Sequence, residues 1–190
     1  MGRYTQETGS AFEHAPVGTH VARCYSIVDI GTQHSSHLGK PTTRNQIVVF
    51  FELTETLMED GKPFIVTKFY TNSLNEKSNL YGDLIAWRGK EFTDDELKRF
   101  DLEKILGATC LLTIVHNDKG RAVIAAIMGL PKNMQCPPPV NEKFTFWLDA
   151  FDQDQFEKLS NGMKNLVMQS DEYKNLGNVK SDFDDEVVPF

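Results

Sequence analysis

The sequence predicts a mainly β fold for this chain of 190 residues. Three antiparallel strands are predicted over 17–70, a helical insert over 73–107, and a second hairpin over 108–130. The resulting order is that of an oligonucleotide-binding (OB) fold, a five-stranded Greek-key barrel. An SH3-like barrel or an α+β sheet shares much of this pattern, so the order of elements alone leaves those alternatives open.

The first three predicted strands are separated by one long loop and one tight turn. The first strand, 17–31, is rich in β-branched residues, and a polar loop over 32–45 follows it. The second strand, 46–57, is strongly apolar. Asp60-Gly61 is typical of a tight hairpin turn, so 64–70 is the predicted return strand.

The helical insert is predicted from two capping boxes. Ser73 followed by Glu76 predicts a helix over 73–90, and Thr93 followed by Glu96 predicts a second helix. In a capping box the side chains at these two positions satisfy the free N–H groups of the first turn. The insert therefore lies between the third and fourth predicted strands.

The remaining segments complete the predicted domain organisation. A short strand over 144–149 and a helix over 152–170 form a C-terminal extension that follows a proline-rich connection. Apolar residues become sparse from 171 on, so we predict a flexible arm at 1–16, one domain at 17–170 and a disordered acidic tail at 171–190.

Charge and composition exclude several classes of protein. The net charge is −7, of which residues 1–148 contribute −1 and residues 149–190 contribute −6. No apolar run reaches the roughly 18 residues that a membrane-spanning helix needs, and the N-terminus lacks the apolar region of a secretory signal. Three widely spaced cysteines are typical of a reducing compartment, so a cytoplasmic protein is expected.

The sequence carries no recognisable catalytic or nucleotide-binding motif, so we do not expect an enzyme. Phosphate loops, zinc-protease motifs and serine-hydrolase elbows are all missing from it. His34 and His37 lie close together, but Asp29 is the only other candidate ligand nearby, which is too few for a metal site. Neither a metal nor a cofactor is therefore predicted.

Strand alternation predicts a surface that mixes aromatic rings with cations. Ile47, Val49, Phe51 and Leu53 form a purely apolar set that should face the core, which turns Phe50 outward. A binding site for single-stranded nucleic acid combines these two kinds of side chain, because bases stack on the rings while cations contact the phosphates. Packing under the insert or a partner chain is the alternative for these rings. The predicted DNA-binding residues are Arg23, Tyr25, Lys40, Arg44, Phe50, Phe64, Lys68, Tyr70, Lys119 and Arg121.

The last ten residues, SDFDDEVVPF, resemble the acidic tip of bacterial single-stranded DNA-binding proteins. That tip ends in a run of Asp, an aliphatic residue, Pro and a terminal Phe; this chain departs from it by Glu-Val-Val in place of Asp-Ile. The resemblance implies that the tip recruits replication, recombination and repair proteins and leaves DNA binding to the body. The implied partner-binding residues are Asp184, Asp185, Glu186, Val188, Pro189 and Phe190.

The body resembles phage-encoded single-stranded DNA-binding proteins with an OB core. The stretches TNSLNEKSNL, AWRGKEFTDDEL and FDLEKILGATC carry this resemblance. It implies a protein of the infected bacterial cytoplasm that coats single-stranded DNA without sequence preference, and a homo-oligomer is possible. A protein-interaction adaptor that engages a host replication factor, or a strand-annealing protein, is the alternative.

Overall fold

The computed structural model describes residues 13–176, which form one mainly β structure. The strands are β1 (Gly18–His37), β2 (Lys40–Leu57), β3 (Pro63–Thr71), β4 (Thr109–His116), β5 (Ala122–Gly129) and β6 (Phe144–Phe146). The helices are α1 (Asn79–Arg88), α2 (Asp94–Lys98), a 3₁₀ turn (Leu102–Ile105), α3 (Gln153–Lys158) and α4 (Asn161–Gln169). The predicted order of three strands, a helical insert and two strands is therefore confirmed.

The strands form an open sheet of order β3-β2-β1-β4-β5. Neighbours along this path are antiparallel, whereas β6 pairs in parallel with the middle of β1. The long β1 therefore pairs with β4 at its beginning, from Gly18 to Arg23, and with β6 further on. The edge strands β3 and β5 contact each other, so the sheet curls around its core.

The main core lies on the concave face of this curled sheet. Ile47, Val49, Phe51 and Leu53 are buried there, which confirms the apolar set predicted from alternation. The insert covers the core from one end: Trp87 of α1 packs on Phe51, and its indole N–H donates to the carbonyl oxygen of Thr109. The insert thus fixes α1 against β4.

A second core covers part of the convex face of the sheet. Val28 of β1 and Val48 of β2 are buried against the C-terminal extension, whose main contributors are Phe146, Phe156 and Val167. The C-terminal extension therefore occupies surface that the sequence analysis left open on these two strands.

Several predicted boundaries are wrong. The polar loop predicted over 32–45 is the far half of the β1–β2 hairpin, which turns at Leu38 and Gly39. The cap of α1 is Ser78 rather than Ser73, although the predicted capping box of Thr93 and Glu96 is confirmed at α2.

The predicted single helix over 152–170 is two helices, because the chain breaks at Leu159 and Ser160 caps α4. Both ends of the predicted domain also extend further than expected. Ala15 is buried, so the predicted arm at 1–16 contributes this side chain to the fold; its residues 1–12 lie outside the described part of the chain. Residues 171–176 are helical and belong to the fold, which corrects the start of the predicted tail.

Glu172 holds these last described residues on the β1–β2 hairpin. Its carboxylate accepts hydrogen bonds from the backbone N–H and hydroxyl of Thr32, both at 2.7 Å, and from Asn45. Burial disfavours the charged form, but the hydrogen bonds outweigh it and hold the pKa of Glu172 below its usual range. Gly31 allows this approach, because a Cβ there would lie 2.5 Å from the same carboxylate.

Candidate nucleic-acid interface

The predicted outward face of β3 is wrong. Phe64 and Tyr70 were expected on the surface, but they are 8% and 4% exposed and belong to the main core. The opposite set faces outward: Ile65 is 40% exposed, Phe69 is 47% exposed, and Thr67 between them is exposed as well. Base stacking on β3 therefore requires Phe69, not the two buried rings.

Lys68 faces inward with the two buried rings and is already paired. Its ammonium lies 2.6 Å from a carboxylate oxygen of Asp83 on α1, and the hydroxyl of Tyr70 donates to the same oxygen at 2.7 Å. Burial, reinforced by the charge of Asp83, raises the pKa of Tyr70. Both side chains therefore attach β3 to α1, and Lys68 is a poor candidate for a phosphate contact.

Two predicted rings, Tyr25 and Phe50, lie side by side on the convex face. Their ring centroids are 6.2 Å apart in an edge-to-face arrangement, and both are partly exposed. Tyr25 is an extra residue at a bulge in β1, which brings it next to Phe50 of β2. Burial, aided by the negative charge of Glu52, raises the pKa of Tyr25 to about 12, so its hydroxyl stays neutral.

Arg23 is tied to a buried carboxylate. Glu52 is fully buried, and one of its oxygens lies 3.7 Å from Arg23 Nη1. The backbone N–H groups of Val140 and Asn141 donate to the same carboxylate, so the proline-rich connection crosses the convex face at this point. Arg23 thus has a structural role that the sequence analysis did not anticipate.

The four remaining predicted cations are exposed at two separate places. Lys40 and Arg44 lie on the far half of the β1–β2 hairpin, and Lys119 and Arg121 lie at the β4–β5 turn. Within residues 13–176, none of the four forms an ion pair. Their charges are therefore available to a ligand.

Lys119 and Arg121 share a cleft with β3, which we call the seam cleft because it lies where β3 and β5 meet. It has a volume of about 810 Å³. Its lining includes Ile65 and Thr67 of β3, Met58 of the β2–β3 turn, and Glu13 and His14 of the N-terminal segment. The seam cleft therefore places two unpaired cations beside the exposed face of β3.

The convex face and the seam cleft together form a continuous candidate interface. Thr67 pairs with Phe50 across β3 and β2, and Phe50 contacts Tyr25, so partly exposed rings continue inward from the cleft. Ile65 and Phe69 were not predicted at the surface, because the set of β3 that contains a lysine was expected to face outward. The alternation of Ile65, Thr67 and Phe69 at every second residue was the sequence signal that places these three side chains on one face of β3.

The six predicted partner-binding residues, Asp184, Asp185, Glu186, Val188, Pro189 and Phe190, lie outside the described residues. In comparisons with protein-family models and with curated proteins, nothing matches this chain. Between residues 13 and 176, no helix has the length and apolar character required to cross a membrane.

Proposed function

We propose that this protein binds single-stranded DNA without sequence preference, through an OB-type sheet, in phage replication or recombination. An OB fold binds ligands on the face of its second and third strands and on the loops between strands 1–2 and 4–5. Here Phe50 and Phe69 lie on the matching face, and the two loops carry the unpaired cations Lys40, Lys119 and Arg121. The sheet order and the contact between β3 and β5 agree with a partly open barrel of this kind.

The observation that carries the proposal is the seam cleft, where unpaired Lys119 and Arg121 lie against the exposed side of β3. Cations that track the backbone beside rings that stack on bases are what non-specific single-strand binding requires. The net charge of −7 does not oppose this, because residues 1–148, which include the whole cleft, contribute only −1 and the local field at the cleft governs encounter.

Removing the two cations of the seam cleft tests this proposal. In the double variant Lys119→Gln/Arg121→Gln, we expect the slope of log affinity against log salt for oligo(dT) to become shallower by about 1.4, which corresponds to two lost phosphate contacts. Fluorescence titration at several salt concentrations measures it. The matched control, Lys77→Gln/Lys158→Gln, removes two exposed cations elsewhere and should keep the slope of the wild type. Equal slopes for the two variants would contradict the proposed site.

The acidic tip separates recruitment from DNA binding in this proposal. Deleting residues 181–190 should preserve or raise the affinity for single-stranded DNA, because an acidic segment competes with DNA for cations. The same deletion should abolish the capture of replication or repair proteins from a host extract. Phe190→Ala is the control that keeps the acidic charge but removes the ring, and it should lose the same capture. Loss of DNA binding on deletion would show that the proposed separation is wrong.

A further inference from the structure

Two clefts on the side of the helical insert meet at Gly107. The first has a volume of about 1040 Å³ and lies between the helical insert, the start of β4 and the end of β5. Its lining includes Arg88, Lys90 and Lys104. The second, of about 420 Å³, lies between β1 and the proline-rich connection, and Arg23, Tyr25 and Lys143 line it. Because Gly107 lines both, we treat the two clefts as one surface and call it the insert-side track.

Each cleft is lined by an arginine that has one buried guanidinium nitrogen without a hydrogen bond. Across residues 13–176, the buried side-chain nitrogens and oxygens that lack a hydrogen bond are Arg23 Nη1 and Arg88 Nη1. An unsatisfied buried donor costs free energy, so its presence calls for an explanation. An anion in either cleft would lie beside a guanidinium group whose charge is already paired, with Glu52 for Arg23 and with Glu96 for Arg88.

The balance of charge along the track is positive. Five cations line the two clefts, against the carboxylates of Glu96 and Glu142. Arg23 pairs with the buried Glu52, and Arg88 and Lys90 pair with Glu96. Within residues 13–176, the unpaired cations of the track are therefore Lys104 and Lys143. Glu96 is already neutralised, because Arg88 Nη2 lies 2.5 Å from its Oε1. The hydrogen bond from Arg88 is the main reason that the pKa of Glu96 falls to about 2. In a chain of net charge −7, this concentration of cations is a local exception.

The position of Lys143 depends on Gly107. A Cβ on Gly107 would lie 2.6 Å from the ammonium nitrogen of Lys143 and 2.5 Å from its Cε, so a side chain at 107 would displace the end of this lysine. The ammonium therefore lies at the junction of the two clefts. Lys143 forms no ion pair with any of residues 13–176, which leaves its charge available to an anion.

The track is continuous with the convex face. Tyr25 lines the second cleft and its ring meets Phe50, which pairs with Thr67 at the seam cleft. A single strand of DNA whose bases stack on these rings would therefore run from the seam cleft toward Lys143 and then toward Lys104. Unpaired cations therefore lie on both sides of the rings, which is the combination that binding of a nucleic-acid single strand uses.

We propose that the insert-side track binds the phosphates of the same single strand that occupies the seam cleft, with Lys143 and Lys104 as its main contacts. This inference rests on the proposed function and extends the binding path beyond the face of β2 and β3. If the track binds DNA, the affinity for oligo(dT) should keep rising with the length of the oligonucleotide after the seam cleft and the convex face are filled.

The test measures affinity against strand length for the full-length chain. Oligo(dT) of increasing length is titrated into the wild type, into Lys104→Gln/Lys143→Gln, and into the control Lys77→Gln/Lys158→Gln. All four lysines are exposed, so these variants should fold normally, which thermal unfolding verifies. For long strands we expect the track variant to bind about tenfold more weakly at low salt, with a salt slope shallower by about 1.4. For the shortest strands that bind, its affinity should equal that of the wild type.

The outcomes separate this inference from the proposed function. If the track variant and the control bind long strands equally, the track is not part of the path, and the seam-cleft proposal is unaffected. If the track variant also loses the shortest strands, the two lysines belong to the primary site and the extension is wrong. If the wild type binds no single strand, the proposed function itself fails. If a peptide of residues 181–190 binds the wild type but not the track variant while the length dependence is unchanged, the track serves the tail and the inference is overturned.

Discussion

Replacing Glu52 with Gln should destabilise the protein by about 3–5 kcal/mol, because it leaves the buried guanidinium of Arg23 without its counter-charge. Glu52 is fully buried in β2, and Arg23 Nη1 lies 3.7 Å from its Oε1. The carboxylate also accepts hydrogen bonds from the backbone N–H of Asn141 at 2.9 Å and from its side-chain amide at 2.7 Å. In a glutamine, an NH₂ group replaces one carboxylate oxygen, so it would face an N–H donor and could not accept its hydrogen bond.

Chemical denaturation of Glu52→Gln and of a matched control measures this effect. Glu55→Gln removes the same charge from the same strand, but Glu55 is exposed, so it should change the unfolding free energy by less than about 0.5 kcal/mol. A loss at Glu52 no larger than at Glu55 would show that the proline-rich connection is not anchored by this carboxylate.

Replacing Phe69 with Ala should weaken oligo(dT) binding by about 1–3 kcal/mol, the usual value of one stacked base. Phe69 is 47% exposed on β3 and lies on the same face as Thr67 and Ile65. Nearly half of its surface is exposed and it belongs to neither core cluster, so the fold should tolerate the change. Fluorescence titration of single strands measures the loss.

Two comparisons make the result at Phe69 specific to stacking. Phe69→Leu keeps an exposed apolar side chain but removes the ring, so it should lose most of the same binding energy. Leu97→Ala removes an exposed apolar side chain from α2 and should bind as the wild type does. Equal affinity for Phe69→Ala and the wild type would exclude this ring from the interface.

The element order and the main core could be predicted from sequence, because both depend on local periodicity. The alternation of Ile47, Val49, Phe51 and Leu53 identified the concave face of β2, and these four residues are buried. The capping box at Thr93 was equally local, since its two partners lie within one helical turn.

The orientation of β3 could not be predicted in the same way. The set of Phe64, Lys68 and Tyr70 looked like a surface because it contains a charge. Asp83 on α1 neutralises that lysine and accepts the hydroxyl of Tyr70, which lets both side chains lie inward. This contact joins two elements, so no pattern within β3 reveals it.

The convex face was misjudged for a related reason. Val48 and Glu52 share a face with Phe50 by alternation, so the pattern alone places all three on the side away from the main core. The C-terminal extension buries Val48, and the proline-rich connection buries Glu52. These coverings come from segments about 90 residues or more further along the chain, so only the folded structure shows how much of the face is left to a ligand.

The central claim is non-specific binding of single-stranded DNA, and one titration of the wild type tests it most directly. Oligo(dT) and a duplex of equal length compete for the full-length protein at several salt concentrations. The account predicts that the single strand binds more tightly than the duplex, and that its log affinity falls linearly with log salt by about 0.7 for each phosphate contacted. Equal affinity for the two ligands, or no binding to either, would contradict it and would favour a protein-interaction adaptor.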